Sequence, residues 1–111
     1  MAEPKRVHLE ERGPIAILTI DHPPANLLDT LTLTQLEECL SQALDDTSTK
    51  VLIVTGSVEP QVPLVFDVRE LAGLSGPEAA RVFARRGQAL FTRIEESPKP
   101  AIAAINGYCL G

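Results

Sequence analysis

Lys50-Val51-Leu52-Ile53-Val54-Thr55-Gly56 decides the fold of this chain. The run is short, apolar, rich in β-branched residues and closed by glycine, which is how a strand reads in sequence. On its N-terminal side Leu33, Leu36, Leu40 and Leu44 recur at helical spacing, with Glu37, Glu38, Gln42 and Asp45 around them. Thr32-Leu33-Thr34-Gln35 has the form of a capping box and predicts a helix start near Thr32, with fraying through Asp46-Thr47-Ser48. On its C-terminal side the signal weakens from Ser57 to Leu71. Pro60 and Pro63 argue for a loop there, with room for one helical turn over Asp67 to Leu71. A second helix opens at Gly73-Leu74-Ser75-Gly76-Pro77-Glu78, with Ser75 or Gly76 near the cap and Pro77 in the first turn. Ala79, Val82, Phe83, Leu90 and Ile94 form its expected apolar stripe. Ser97-Pro98-Lys99-Pro100 ends it, and Ala101 to Ile105 reads as a final buried strand before a turn at Asn106-Gly107.

Further out, Val7 to Glu10 and Ile15 to Ile20 flank Glu11-Arg12-Gly13-Pro14 and read as a hairpin. The second of these strands is a nearly continuous apolar run and suits cover on both faces. Asp21-His22-Pro23-Pro24 stops it, since two prolines deny donors to any ladder. The order is therefore β-β-α-β-(loop)-α-β. The last two long strands are joined through a helix and should be parallel with a right-handed crossover, so the fold class is an α/β layer.

Composition narrows the function. The 111 residues are 44% hydrophobic and 23% charged, enough apolar content to bury a core. Ten Lys plus Arg against fifteen Asp plus Glu leave a charge of -5, which lacks the basic footprint of a nucleic-acid binder. No apolar run approaches the roughly 18 residues of a membrane span, and the N-terminus has no secretory h-region. Cys39 and Cys109 supply neither a disulfide framework nor a metal set. These features point to a cytoplasmic protein with no cofactor or metal; a mitochondrial location stays open for a eukaryotic source. Gly-x-Gly-x-x-Gly, P-loop and Gly-x-Ser-x-Gly patterns are missing. His8 reads as exposed on the first strand, His22 as structural within a turn, and Arg81, Arg85 and Arg86 as a solvated helix face.

Three segments carry a resemblance: Ile20-Asp21-His22-Pro23-Pro24-Ala25-Asn26-Leu27-Leu28; Val51 to Gly56 followed by Asp67-Val68-Arg69-Glu70-Leu71; and Lys99-Pro100-Ala101-Ile102-Ala103-Ala104-Ile105-Asn106-Gly107-Tyr108-Cys109-Leu110-Gly111. In this order and spacing the chain resembles the enoyl-CoA hydratase/isomerase (crotonase) superfamily. The third segment is the most specific. The resemblance implies a crotonase-like ββα spiral core and an acyl-CoA thioester as substrate. It also implies two backbone N–H groups that stabilise the enolate-like oxyanion, and acidic side chains that move protons. Homotrimers or hexamers are the implied assembly of a full-length member.

Aligned on Asp67, the family's Phe-x-Ala-Gly-Ala-Asp stretch reads Val62-Pro63-Leu64-Val65-Phe66-Asp67 here. Phe66 thus takes the first donor position, and Val65 stands where the family has glycine. Leu64 matches the position whose backbone meets the adenine end of CoA. Ala25, Leu64, Phe66, Asp67, Val68 and Arg69 are the residues the resemblance places against the ligand. A phenylalanine at position 66 either crowds the thioester or lines an altered acyl pocket. Gly111 matches only the first of the glycines that open the family's next helix, so the second donor and the hydratase Glu have no counterpart among these residues.

The expectation is that residues 1–111 form the N-terminal part of one acyl-CoA-binding domain, truncated after the strand leading into the glycine-rich turn and inactive alone. The alternative is a non-catalytic family member that serves as a structural partner in oligomers. The side chains from Pro100 to Gly111 carry no charge, which favours the first reading.

Overall fold

The computed structural model describes residues 3–23, 26–57, 73 and 75–107. Among them are four strands, β1 (Val7–Arg12), β2 (Ile15–Ile20), β3 (Val51–Gly56) and β4 (Ala101–Ala104), and two helices, α1 (Thr30–Asp45) and α2 (Pro77–Glu95). One sheet runs β1-β2-β3-β4, with β1 antiparallel to β2 and the other two pairs parallel. This is the expected element order and the expected mixed α/β class.

The hairpin closes over two residues, Gly13 and Pro14, because Gly13 takes φ +56 at no steric cost. Pro14 has no donor, but its carbonyl accepts from both Lys50 N (2.6 Å) and Val51 N (3.2 Å), so the turn seats the start of β3.

Helix α1 starts two residues earlier than the capping box predicts. Asp29 is the N-cap, and its Oδ1 accepts from Thr32 N at 2.8 Å and Thr32 Oγ1 at 2.6 Å. An ionised carboxylate is a stronger acceptor for the free N–H groups than a threonine hydroxyl. Gln35 is thereby free of capping. Its Oε1 accepts from Arg6 N and Val7 N, and its Nε2 donates to Pro4 O, strapping the N-terminal segment along the helix.

Leu33, Leu36, Leu40 and Ala43 bury one stripe of α1 against Val7, Ala16, Leu18 and Ile20 of the hairpin. The core is therefore centred under β1 and β2. Strand β2 is fully covered on one face only: Ala16, Leu18 and Ile20 are buried, whereas Ile15, Ile17 and Thr19 are half-buried. Helix α2 packs against α1. Its stripe runs through Phe83, Gly87, Leu90 and Ile94, and Val82 faces outward at 58% exposure instead of joining it.

The expectation of a buried β4 does not hold among the described residues. Ala101, Ile102 and Ala103 are exposed, Ile102 by 53%. The physical reason is position: among the described residues β4 lies at the edge of the sheet and pairs only with β3, and α1 lies at the other side.

Candidate functional site

Strands β2, β3 and β4 run parallel, so their carboxyl ends lie side by side, with Ile20 opposite Gly56 and Thr55 opposite Ala104. In open α/β sheets this is the end where ligands collect, because loops diverge there above the strands. The chain passes from these ends into residue 21 after β2, residue 57 after β3 and residue 105 after β4.

The rim is tied together by polar contacts. Ser57 N donates to Ile20 O at 2.9 Å, and Ser57 Oγ to Asp21 Oδ1 at 3.0 Å. The other carboxylate oxygen of Asp21 lies 3.1 Å from His8 Nε2, while Asp21 N donates to Arg6 O. Asn106 Nδ2 donates to Gly56 O at 2.9 Å, and Thr55 Oγ1 to Ala104 O at 2.8 Å. Asp21 is thus held between β1 and β3, and His8 is half-buried at its side rather than free on an outer face.

After β2 the chain folds into a closed turn. His22 N donates to Asn26 Oδ1 at 2.6 Å, and Asn26 N returns to His22 O at 2.7 Å. Asn26 is fully buried with φ +53, a conformation that asparagine tolerates better than most residues. His22 Nδ1 lies 2.6 Å from Leu27 O. A carbonyl only accepts, so Nδ1 carries the proton, and Nε2 faces Asp29 Oδ2 at 3.9 Å. This is the structural role expected of His22.

Asp29 anchors the turn from below. Burial opposes ionisation of its carboxyl, but the hydrogen bonds from Thr32 and the charges of His22 and Arg6 outweigh it and hold the group below its ordinary value. Arg6 Nη1 is 3.7 Å from Asp29 Oδ2.

On the helix side of the sheet lies an apolar cleft of about 260 Å³, walled by Ile20, Leu28, Leu36, Val54, Phe91 and Ile94 and bordered by β4. Glu95 is its single ionisable lining residue among the described residues and is exposed. The cleft suits an apolar group and offers little for moving protons.

All six residues expected to touch ligand, Ala25, Leu64, Phe66, Asp67, Val68 and Arg69, lie outside the described residues, as does the expected helical turn over 67–71. The structure supplies their attachment points. In sequence, position 25 lies between His22 and Asn26, and positions 64–69 lie between Ser57 at the rim and the start of α2. Of the arginines on α2, Arg81 pairs with Glu78, and Arg86 bridges to Glu37 and Thr34 of α1. Arg85 is exposed.

Sequence reading missed the turn-forming Asn26 and the Asp29 cap. An Asx residue three positions before Thr32 and an Asn just ahead of a helix were the available signals. Among the described residues no group of three His, Cys, Asp or Glu side chains could hold a metal ion, and no helix is long and apolar enough to cross a membrane.

A family model described as enoyl-CoA hydratase/isomerase matches residues 10–111. A probable enoyl-CoA hydratase of Bacillus subtilis is 41% identical over 97 residues, covering 87% of this chain and 37% of the relative. A crotonyl-CoA hydratase of Syntrophomonas wolfei is 36% identical over 108 residues, covering 96% and 41%. The chain therefore spans about two fifths of the length of these curated relatives. Among solved structures, Pseudomonas aeruginosa DspI superposes with a TM-score of 0.88 at 31% identity, over the whole of this chain and 42% of that one. An enoyl-CoA hydratase/isomerase from Xanthobacter autotrophicus gives 0.89 at 28% identity, over 96% and 40%.

Proposed function

The chain belongs to the enoyl-CoA hydratase/isomerase family, and from that premise we propose that residues 1–111 form the N-terminal part of a crotonase-like domain that binds an acyl-CoA thioester. The parallel carboxyl ends of β2, β3 and β4 carry this reading, since the segments holding positions 25 and 64–69 both leave from that rim. Ala25, Leu64, Asp67, Val68 and Arg69 contact the ligand, and the Phe66 N–H donates to the thioester oxygen.

The chemistry of the whole protein is hydration or isomerisation of an enoyl thioester. Negative charge develops on the thioester carbonyl oxygen, and preorganised backbone donors stabilise it without reorganisation at the moment of reaction. A backbone donor needs only a non-proline residue, so phenylalanine at position 66 retains the N–H. Its ring occupies space that glycine and alanine leave open. None of the 111 residues matches the family's acid/base glutamate, so these residues bind without turning over. Each missing oxyanion donor would by itself cost about 10²- to 10³-fold in rate.

Titration calorimetry with crotonyl-CoA and a hydration assay on the same sample test this. Saturable binding without turnover is expected, with Phe66→Pro, which removes the N–H, weakening it. Absence of binding would overturn the acyl-CoA reading, and turnover would show that a carboxylate in these residues does the work assigned elsewhere. The exposed Ile102 and Ile105 favour a second reading, in which the protein is a non-catalytic partner within trimers or hexamers of family type. Binding to a full-length relative in the absence of any acyl-CoA affinity would select it.

A further inference from the structure

Strand β4 has little to hold it. It spans four residues, pairs with one neighbour among the described residues, exposes three of its side chains, and takes one side-chain hydrogen bond along its length, from Thr55 Oγ1 to Ala104 O. The sequence on it, Ala101-Ile102-Ala103-Ala104, carries no polar group that could tell one register from the next. Register is specified strongly where one face of a strand is buried, and the exposed side chains of β4 give little of that.

Both ends of the strand are anchored from outside it. Lys99 Nζ donates to Ala43 O at 2.9 Å and to Asp46 O at 2.7 Å, carbonyls 56 and 53 positions earlier. These carbonyls close the C-terminal end of α1, whose own last turn has no basic residue. Unsatisfied carbonyls and the negative end of the helix dipole favour a cation there. At the other end, Asn106 Nδ2 donates to the carbonyl of Gly56, the last residue of β3. Backbone pairing begins directly after Lys99, where Leu52 N donates to Pro100 O at 2.9 Å.

We infer that Lys99 and Asn106 are positioning residues that clamp β4 at its two ends and fix its register on β3. A slip of one residue would move the strand by about 3.3 Å and turn every side chain to the opposite face. Neither anchor can follow such a slip without losing its carbonyl. The consequence for chemistry rests on the function proposed above. There the segment after β3 supplies the Phe66 donor, and the second donor, which the resemblance places beyond Gly111 on the chain continuing from β4, must sit within about 3 Å of the same oxygen. A one-residue slip is as large as that distance and would withdraw one donor.

The test uses the 111-residue chain with Cys39 and Cys109 replaced by serine. Val54→Cys with Ala103→Cys reports the observed register, because these two positions are partners across β3 and β4; Val54→Cys with Ala104→Cys reports a slipped one. In the parent background the first pair should cross-link faster than the second. Adding Lys99→Met and Asn106→Asp together should abolish that preference, and Lys99→Arg should preserve it. In parallel, hydrogen exchange at β4 should accelerate about ten- to hundredfold with Lys99→Met alone and with Asn106→Asp alone, while the β1–β2 hairpin stays protected. An unchanged cross-linking preference in the double variant would overturn the clamp. Equal loss of hairpin protection would also overturn it, since the role would then be global. Titration with crotonyl-CoA labelled with ¹³C at the carbonyl separates the two proposals. No binding by the parent defeats the acyl-CoA reading and leaves the register result standing.

Discussion

Asp29 shows how much one side chain can settle. It caps α1, faces the ring of His22 and pairs with Arg6, so it joins the start of the helix to the turn that leads out of β2. Asp29→Ala should destabilise the protein by about 1 kcal/mol, the usual worth of an N-cap, in urea unfolding near neutral pH. The pH dependence follows from the lowered carboxyl value. A folded-state value below the unfolded one adds stability that is complete above the unfolded value, about 3.9, and fades as pH falls through the folded value. Asp29→Asn keeps an acceptor but cannot ionise, so its unfolding midpoint should fall less than the parent's on acidification below about pH 4. Gly13 gives a second test. A Cβ there would meet nothing within 4 Å, yet φ is +56. Gly13→Ala should still cost about 1 kcal/mol, from backbone strain alone.

At the level of elements, the order of strands and helices was legible because each carries its own periodicity and punctuation. Lys50 to Gly56 reads as a strand, and the Leu33, Leu36, Leu40 spacing reads as a helix, whatever surrounds them. What could not be read locally is which strand lies at the edge. The apolar composition of Ala101 to Ile105 is the same whether its face is covered or open, and only the sheet order decides. The residues proposed to touch ligand were named through resemblance, because backbone donors leave no side-chain signature for local pattern to find. The difference between core and edge is measurable. Leu52→Ala, at a fully buried position in β3, should cost about 2–5 kcal/mol by loss of contacts and cavity formation. Ile102→Thr, one strand away, should change stability by less than about 0.5 kcal/mol. Matching losses from the two substitutions would mean that β4 is covered in solution.

For the molecule as a whole, the distribution of apolar surface matters more than its amount. Ile102 and Ile105 stand exposed at one side of the sheet, beside an apolar cleft that includes the wall of β4. Nearby strand edges of this type invite association, and a modest charge of -5 gives only weak repulsion against it. Sedimentation velocity should therefore show concentration-dependent self-association. Ile102→Lys with Ile105→Lys should shift the distribution to monomer without lowering the unfolding midpoint. Monomeric behaviour of the parent across the micromolar range would remove this face as a contact surface.

The carbonyl of Pro14, shared by the amides of Lys50 and Val51, has a consequence for time rather than for stability. A two-residue hairpin closes within microseconds, because its loop costs little entropy. Once closed, its turn already holds the acceptor on which β3 must land, so the ladder to Ile15 starts from a prepared end. β4 can join only after α1 has formed the carbonyls that Lys99 seeks and β3 has been laid down. Assembly then proceeds from the hairpin toward β4, in the order in which a ribosome would release these residues. Pulse-labelled exchange during refolding should show hairpin amides protected first and those of β4 last.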